Sequence, residues 1–253
     1  MRFGIVGNPV GHSLSPTLFR AAYPDGRDSY ELVLCKAWSD AWRSFCDGFD
    51  AVNVTAPFKR DAFESAAKCD PASFRAQASN VLIRRGELTV ACNTDFTGVR
   101  NILSRRDVRL RDAGVLVIGC GGAGRAAAIA AVDLECRSVA VADRTFETAE
   151  EFVMRLRDER AEAVALNDGK FAAAFERAGI VVYALPVALK EIIMLDFSGK
   201  ALLEANYRDP ALSGVGCGEY VSGREWLLEQ AVEGFRLMTG REPDDEAMRK
   251  AIL

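Results

Sequence analysis

Residues 115–124, Val115-Leu116-Val117-Ile118-Gly119-Cys120-Gly121-Gly122-Ala123-Gly124, decide the fold class of this chain. Four apolar residues predict a buried strand, and the glycines match G-x-G-x-x-G before an alanine-rich segment that predicts a helix over 123–133. Glycines allow a tight turn and a close approach of the backbone to a pyrophosphate, while the helix N-terminus offers N–H groups and a positive dipole end. We therefore expect a dinucleotide-binding unit in which Gly119, Gly121, Gly122, Ala123 and Gly124 contact the cofactor.

The residues that would meet the cofactor ribose include one that favours NAD and two that favour NADP. Such a unit carries an acidic residue about 20 positions after the glycines, and Asp143 lies at 143 − 124 = 19. Its carboxylate could accept hydrogen bonds from a ribose diol, which favours NAD. Arg144 could clamp a 2′-phosphate and Thr145 could donate a hydrogen bond to it, which favours NADP. The sequence predicts NADP or NAD as cofactor and leaves the preference open.

Strands and helices alternate on both sides of the glycine stretch, which is typical of an α/β fold with parallel strands. A polar, charge-rich run at 104–113 separates two such regions. Before it we predict strands at 3–6, 30–35 and 51–54, a hairpin of 81–83 with 88–91, and helices at 16–23, 38–47, after Pro57 and at 97–104. After it we predict strands at 115–118, 138–142, 162–165, 180–183 and 201–204, and helices at 123–133, 145–158, 170–177, 223–238 and 243–252.

Composition excludes several classes of protein. The 253 residues carry 32 Lys and Arg against 36 Asp and Glu, and 49 % are hydrophobic. These values exclude an intrinsically disordered chain, and the net charge of −4 argues against binding nucleic acid. No apolar run reaches the roughly 18 residues of a membrane span, and the start of the sequence lacks the pattern of a signal peptide. We expect no membrane association.

Cysteine and histidine usage narrows the chemistry further. Seven cysteines, an odd number, mostly occupy apolar segments without any C-x-x-C pair, so we expect buried thiols in a reducing cytoplasm. His12 is the single histidine. It argues against a His-rich metal site and against a Ser-His-Asp triad, so no metal is expected.

The first region places polar residues where predicted strands end, which is where open α/β sheets bind ligands. Ser13 and Ser15 are two residues apart, so in an extended loop both hydroxyls point the same way and could hold a carboxylate or a polyol. Helix capping by Ser15 before Pro16 is the alternative. Asn53 and Thr55 share one face at the end of the third strand.

Lys59 and Asp95 are the candidate proton-transfer pair. A lysine is usually a solvated surface charge, and Asp95 could simply cap the next helix. Held together, however, an ammonium and a carboxylate can move a proton to a carbonyl or hydroxyl oxygen during hydride transfer. At this point a structural role and a catalytic role both stay open for the pair.

These blocks together resemble the shikimate dehydrogenase family over nearly the whole chain. The matching stretches, in order, are 7–16, Asn53-Val54-Thr55-Ala56-Pro57-Phe58-Lys59, Asn93-Thr94-Asp95-Phe96-Thr97-Gly98, 119–125 and 223–240. The resemblance implies an NAD(P)-dependent oxidoreductase acting on a CH–OH group, which reduces 3-dehydroshikimate to shikimate reversibly in chorismate and aromatic amino acid biosynthesis. It also implies a cytoplasmic enzyme, monomer or homodimer, whose partner is a small-molecule substrate.

The resemblance implies a fold and residue roles as well. A substrate-binding α/β domain would comprise 1–97, completed by helices in 226–253, and a Rossmann dinucleotide-binding domain would comprise 98–225. Lys59 and Asp95 resemble the catalytic pair, and Ser13 and Ser15 resemble the carboxylate ligands. The remaining substrate ligands would be Asn53, Thr55, Asn80, Tyr207 and Gln230. Trp226 stands where a methionine is expected beside the nicotinamide.

The sequence departs from the family pattern mainly on the cofactor side. Asp143-Arg144-Thr145 replaces Asn-Arg-Thr, and Tyr183-Ala184-Leu185-Pro186 replaces Asn-Ala-Thr-Pro. Phe19-Arg20 replaces His-Asn, and Gln77-Ala78-Ser79-Asn80-Val81 replaces Gly-Ala-x-Asn-Thr. Three alternatives stay open: a quinate/shikimate dehydrogenase paralogue using NAD, a non-catalytic ligand-binding relative, and another two-domain enzyme such as a methylenetetrahydrofolate dehydrogenase, against which the serine block argues.

Overall fold

The structure, a computed structural model, describes residues 1–24, 26–105 and 112–253. Most of the charge-rich run predicted at 104–113 lies outside these residues. The contacts divide the chain into two units, one of Met1–Gly98 with Leu228–Leu253 and one of Val99–Leu227. The first unit is therefore built from two separate stretches of the chain.

The first unit is an α/β sheet domain whose six strands run in the order β2-β1-β3-β5-β6-β4. Its strands are β1 (Arg2–Gly7), β2 (Ser29–Leu34), β3 (Ala51–Val54), β4 (Lys68–Cys69), β5 (Val81–Arg85) and β6 (Leu88–Cys92). Its helices are α1 (Ser15–Ala22), α2 (Trp38–Cys46), α3 (Lys59–Ser65), α4 (Pro71–Ala76), most of α10 (Gly223–Thr239) and α11 (Asp245–Ile252), with the start of α5 (Thr94–Ser104).

Alternation along β1 and β3 decides which side chains face which helices. Val6, Val52 and Val54 pack with residues of α2 and α3 in one apolar core. Side chains of successive strand residues point to opposite faces, so Phe3, Ile5 and Asn53 face the other side. The polar Asn53 thus lies on the face opposite the valine core.

The second unit has the strand order of a Rossmann fold. All six strands are parallel and run β12-β11-β10-β7-β8-β9, which corresponds to the order 3-2-1-4-5-6 read from the other edge. The strands are β7 (Gly114–Ile118), β8 (Ser138–Asp143), β9 (Ala161–Ala165), β10 (Ala178–Tyr183), β11 (Phe197–Glu204) and β12 (Cys217–Val221). The helices are α6 (Gly122–Asp133), α7 (Phe146–Leu156), α8 (Gly169–Arg177) and α9 (Lys190–Ile193).

The two-sheet α/β architecture is confirmed, and four short elements were not predicted: β4, α4, α9 and β12. β4 has two residues and α9 has four, too few for a periodic pattern to be visible. The first sheet is mixed rather than parallel, because β5 runs antiparallel to both of its neighbours, β3 and β6. Among the described residues, no helix is long and apolar enough to cross a membrane.

Candidate functional site

Lys59 and Asp95 meet in the first unit. Lys59 begins α3 and Asp95 lies in the first turn of α5, and Lys59 Nζ is 2.5 Å from Asp95 Oδ2. Their side chains are 21 % and 11 % exposed, so the pair is shielded but still reachable by a small molecule. The capping alternative for Asp95 is wrong, because Asn93 Oδ1 accepts the hydrogen bond from Phe96 N–H instead.

A buried amide network extends from this pair. Asn80 Nδ2 lies 3.2 Å from Asp95 Oδ1, 2.9 Å from Thr94 Oγ1 and 2.9 Å from Gln230 Oε1. Thr94 Oγ1 also donates to Gln230 Oε1 at 3.0 Å, and Asn80 Oδ1 accepts from Thr94 N–H at 2.7 Å. Asn80, Thr94 and Gln230 are buried. The network therefore orients the Asp95 carboxylate and joins α10 to the sheet within the first unit.

Ser13 and Ser15 are hydrogen-bonded to each other. Ser13 Oγ donates to Ser15 Oγ at 3.1 Å and accepts from Ser15 N–H at 3.2 Å. The expectation that both hydroxyls lie on the same side agrees with this geometry. Capping by Ser15 is wrong: Ser15 is already inside α1, and the N-cap residue is Leu14, whose side chain makes no capping hydrogen bond.

Ser15, Asn53 and Gln230 line one cleft, together with Tyr30 and apolar side chains. Tyr30 OH donates to Asn53 Oδ1 at 2.6 Å. Thr55 lies at the end of β3, half-buried, where its methyl group packs so closely on Gly7 that a Cβ there would be 2.2 Å from it. Sequence reasoning missed Thr94 and Tyr30, and only Thr94, next to Asp95, carried a signal that could have found it.

The glycine loop follows β7, and its glycines stand where side chains would clash or would cover the start of α6. Gly119 has φ +107°, and a Cβ on Gly124 would lie 1.7 Å from Gly119 O, so neither position accepts a side chain. A Cβ on Gly121, in contrast, would meet nothing within 4 Å. Gly121 is the N-cap residue of α6 and has no side chain to make a capping hydrogen bond, so the glycine leaves the start of this helix uncovered. A helix N-terminus that follows a glycine turn in this way is a favourable place for a phosphate.

The Asp143 carboxylate is hydrogen-bonded to the glycine loop. Its Oδ2 accepts from Cys120 N–H at 2.6 Å and its Oδ1 accepts from Thr145 N–H at 3.1 Å. Arg144 and Thr145 are exposed. A carboxylate at the end of β8 therefore borders the loop, as the spacing predicts, and a guanidinium and a hydroxyl group follow it in sequence.

Ala184 packs against Gly119, at the point where the order of the second sheet reverses. Ala184 N–H donates to Ile118 O at 2.8 Å, and a Cβ on Gly119 would lie 2.9 Å from Ala184 C. Ligands bind at this point in doubly wound sheets.

Tyr207 lies half-buried after β11, and Trp226 is buried near the start of α10, both in the second unit.

The buried cysteines are poor candidates for nucleophiles. All seven cysteines are free; burial raises the pKa of Cys92 to about 12 and that of Cys136 to about 11. At pH 8 such groups are thiolates in about one molecule per thousand or fewer. Within the described ranges, no group of three or more His, Cys, Asp or Glu side chains could hold a metal ion.

We therefore expect the exposed Cys46 to react first with a disulfide reagent at pH 8. Cys46→Ser should remove the fastest phase of thiol release measured by absorbance, whereas Cys92→Ser should leave that phase unchanged. A fast phase that survives in Cys46→Ser would contradict this assignment and point to another thiol, such as the partly buried Cys69 or Cys217.

The strand order and the glycine loop define the class: an α/β protein with a Rossmann-type dinucleotide-binding unit and a second sheet domain. Comparison with protein families finds three matching models: the shikimate dehydrogenase substrate binding domain over residues 5–82, shikimate/quinate 5-dehydrogenase over 101–197, and the shikimate 5′-dehydrogenase C-terminal domain over 223–253. The chain belongs to the shikimate dehydrogenase family.

Relatives match along almost the full length. The chain is 35 % identical to shikimate dehydrogenase (NADP⁺) of Halobacterium salinarum, over 99 % of this chain and 97 % of that protein. It is 33 % identical to the protein of that name from Alteromonas mediterranea, over 99 % and 95 %. Among solved structures, it is similar to Mycobacterium tuberculosis shikimate dehydrogenase, with a TM-score of 0.85, 27 % identity and coverage of 99 % and 98 %.

A second solved structure carries ligands. The chain is similar to shikimate 5-dehydrogenase from Thermus thermophilus in complex with NADP(H) and shikimate, with a TM-score of 0.82 and 27 % identity, over 100 % of this chain and 98 % of that one.

Proposed function

We propose that this protein is a shikimate dehydrogenase, which reduces 3-dehydroshikimate to shikimate reversibly with NADPH or NADH. The 2.5 Å contact of Lys59 with Asp95, beside a buried network of amides, is the observation that carries the proposal. The names of the relatives at 35 % and 33 % identity support it. We also propose a cytoplasmic monomer or homodimer.

The first unit would bind the substrate and the second unit the cofactor. Ser13 and Ser15 would offer hydroxyls to the substrate carboxylate, and Asn53, Thr55, Asn80 and Gln230 of the first unit would meet the ring hydroxyls. Tyr207, which belongs to the second unit, is proposed as a further substrate ligand. The cofactor ligands would be Gly119, Gly121, Gly122, Ala123, Gly124, Asp143, Arg144, Thr145 and Trp226. The open space over Gly121 supports this division.

Lys59 would donate the proton that the reduced carbonyl oxygen requires. When bound, the nicotinamide supplies the hydride to the carbonyl carbon, or accepts it in the reverse direction. The Lys59 ammonium, held by Asp95, donates to the oxygen as negative charge develops there. Asp95 in turn is oriented by Asn80 Nδ2. Removal of water from these partly buried groups strengthens their interaction with that charge.

A quinate/shikimate dehydrogenase that uses NAD is the second candidate. One observation favours it: the Asp143 carboxylate is fixed beside the glycine loop, where it repels a 2′-phosphate and can accept hydrogen bonds from a ribose diol.

The test follows the near-ultraviolet absorbance of the reduced nicotinamide, with shikimate and quinate each offered NADP⁺ and NAD⁺. Turnover of shikimate well above that of quinate supports the first proposal. Preference for quinate with NAD⁺ moves the assignment to the second candidate. Absence of turnover in all four mixtures overturns both.

Asp143→Asn should shift the cofactor preference toward NADP. An amide oxygen can still accept from Thr145 N–H or Cys120 N–H, while the charge that opposes a 2′-phosphate is gone. We expect kcat/KM for NADP⁺ relative to NAD⁺ to rise about tenfold. Asp168→Asn, at the N-cap of α8 in the same unit, is the control and should leave the ratio unchanged. An unchanged ratio in Asp143→Asn would contradict the role of the carboxylate.

A further inference from the structure

The hydrogen bond from Tyr30 to Asn53 crosses a whole strand. Tyr30 pairs with Phe3, and Asn53 pairs with Ile5, on opposite sides of β1. Because Phe3 and Ile5 are two residues apart on one strand, both partners emerge on the same face of the sheet. The long tyrosine side chain spans β1 and brings its hydroxyl 2.6 Å from Asn53 Oδ1.

The two partners of Asn53 determine which way its amide faces. Asn53 Nδ2 lies 3.4 Å from the backbone carbonyl oxygen of Asn80. A carbonyl can only accept a hydrogen bond, so the nitrogen of the amide must be on that side. Tyr30 OH then donates to the carbonyl oxygen of the amide. The carbonyl oxygen of Asn53 thus already accepts one hydrogen bond, and the second N–H group of the amide can donate to a further acceptor.

Packed rings hold the Tyr30 hydroxyl in place. The centroid of Tyr30 is 4.8 Å from that of Phe19, and Phe19 lies 5.2 Å from Phe3 and 5.3 Å from Phe235. Phe3, Phe19 and Phe235 are at most 6 % exposed. An aromatic ring fixed on this cluster has little freedom, so its hydroxyl is a rigid point from which the Asn53 amide is oriented.

The oriented amide borders the cleft. Tyr30 and Asn53 line it together with Ser15 and Gln230. Gly234 of α10 leaves space on the nitrogen side, since a Cβ there would lie 3.7 Å from Asn53 Nδ2 and 3.9 Å from Thr94 Oγ1. A ligand atom in this part of the cleft therefore meets an N–H donor.

We propose that Tyr30 is a positioning residue for substrate binding: it fixes the Asn53 amide so that an N–H group, and not the carbonyl oxygen, faces the ligand. This inference rests on the proposed function. The site then selects an acceptor at this point, which a ring hydroxyl or carbonyl oxygen provides. Without the tyrosine hydroxyl the Asn53 amide keeps only the 3.4 Å contact of its nitrogen with Asn80 O, so its N–H group is held less firmly toward the ligand.

The experiment measures shikimate kinetics in Tyr30→Phe. We expect KM for shikimate to rise about three- to tenfold, since one hydrogen bond to the ligand is weakened, with kcat within about twofold and KM for the cofactor unchanged. Tyr23→Phe is the matched control, because Tyr23 packs against Phe235 in the same aromatic cluster and does not line the cleft. Thermal melts of both variants check the fold.

A second pair of variants separates positioning from packing. In an Asn53→Ala background, adding Tyr30→Phe should leave KM for shikimate unchanged, because the tyrosine acts through the amide. The same rise in both backgrounds overturns the inference, as does an unaltered KM in Tyr30→Phe alone. Absence of turnover in the unaltered chain overturns the proposed function and this inference together, whereas the first two outcomes leave the proposed function intact.

Discussion

Lys59→Ala should lower kcat for shikimate oxidation, in which Lys59 would accept the proton, by about a hundred- to ten-thousand-fold, the usual contribution of a positioned general acid or base. The side chain lies 2.5 Å from Asp95. Lys59 belongs to the first unit and the glycine loop to the second, so the affinity for the cofactor should be unchanged. Single-turnover kinetics and a cofactor titration by fluorescence measure the two quantities separately.

Lys59→Arg distinguishes proton transfer by Lys59 from the effect of its positive charge alone. Arginine keeps the positive charge, but its guanidinium group stays protonated in proteins and so cannot transfer a proton. If Lys59 transfers a proton, Lys59→Arg is nearly as slow as Lys59→Ala; if it supplies charge alone, much of the rate returns. Lys68→Ala, at an exposed position of the same unit, is the control. Turnover of Lys59→Ala within about threefold of the unaltered protein would contradict the catalytic role.

Gly121→Val should abolish useful cofactor binding while the protein stays folded. The φ of Gly121 is −73°, which valine adopts, and its Cβ would meet no protein atom within 4 Å. The added side chain fills the space over the first turn of α6 and blocks access to its N–H groups. If the N–H groups donate two charge-assisted hydrogen bonds to the pyrophosphate, their loss predicts a Kd for the cofactor about a hundredfold higher.

Gly169→Val is the matched control, because a Cβ at that position in α8 also meets open space. It should bind the cofactor normally. Titration of NADPH by fluorescence, with a thermal melt of each variant, gives the answer. Normal affinity in Gly121→Val would mean that the pyrophosphate lies elsewhere.

Parts of this protein that depend on short stretches of chain could be predicted from the sequence. A run of apolar residues, a glycine turn and an alanine-rich helix are neighbours in the sequence, so the βαβ start of the second unit follows from the periods of strand and helix. The position of Asp143 follows from the same unit, since the acidic residue of such a unit stands at a nearly constant distance from the glycines. Short elements such as β4 and α9 escape this reasoning because they contain less than two periods.

Some local predictions were wrong because several polar groups competed for one role. Ser15 and Asp95 each had the chemistry of a helix cap, and in each case a neighbour two residues away took the hydrogen bond: Ser13 with Ser15 N–H, and Asn93 with Phe96 N–H. The start of α5 at Thr94 places Asp95 inside the helix, where its carboxylate reaches Lys59.

The sequence by itself determined the α/β class, the glycine loop, and the pairing of residue types that suits hydride transfer. Only the tertiary structure decided that Asn80 meets Gln230, 150 residues away, and that Tyr30 reaches Asn53 across β1. The physical reason is that a hydrogen bond between distant residues depends on strand order and register. These are set by which apolar faces pack together across the whole unit, and no spacing within a short stretch records them.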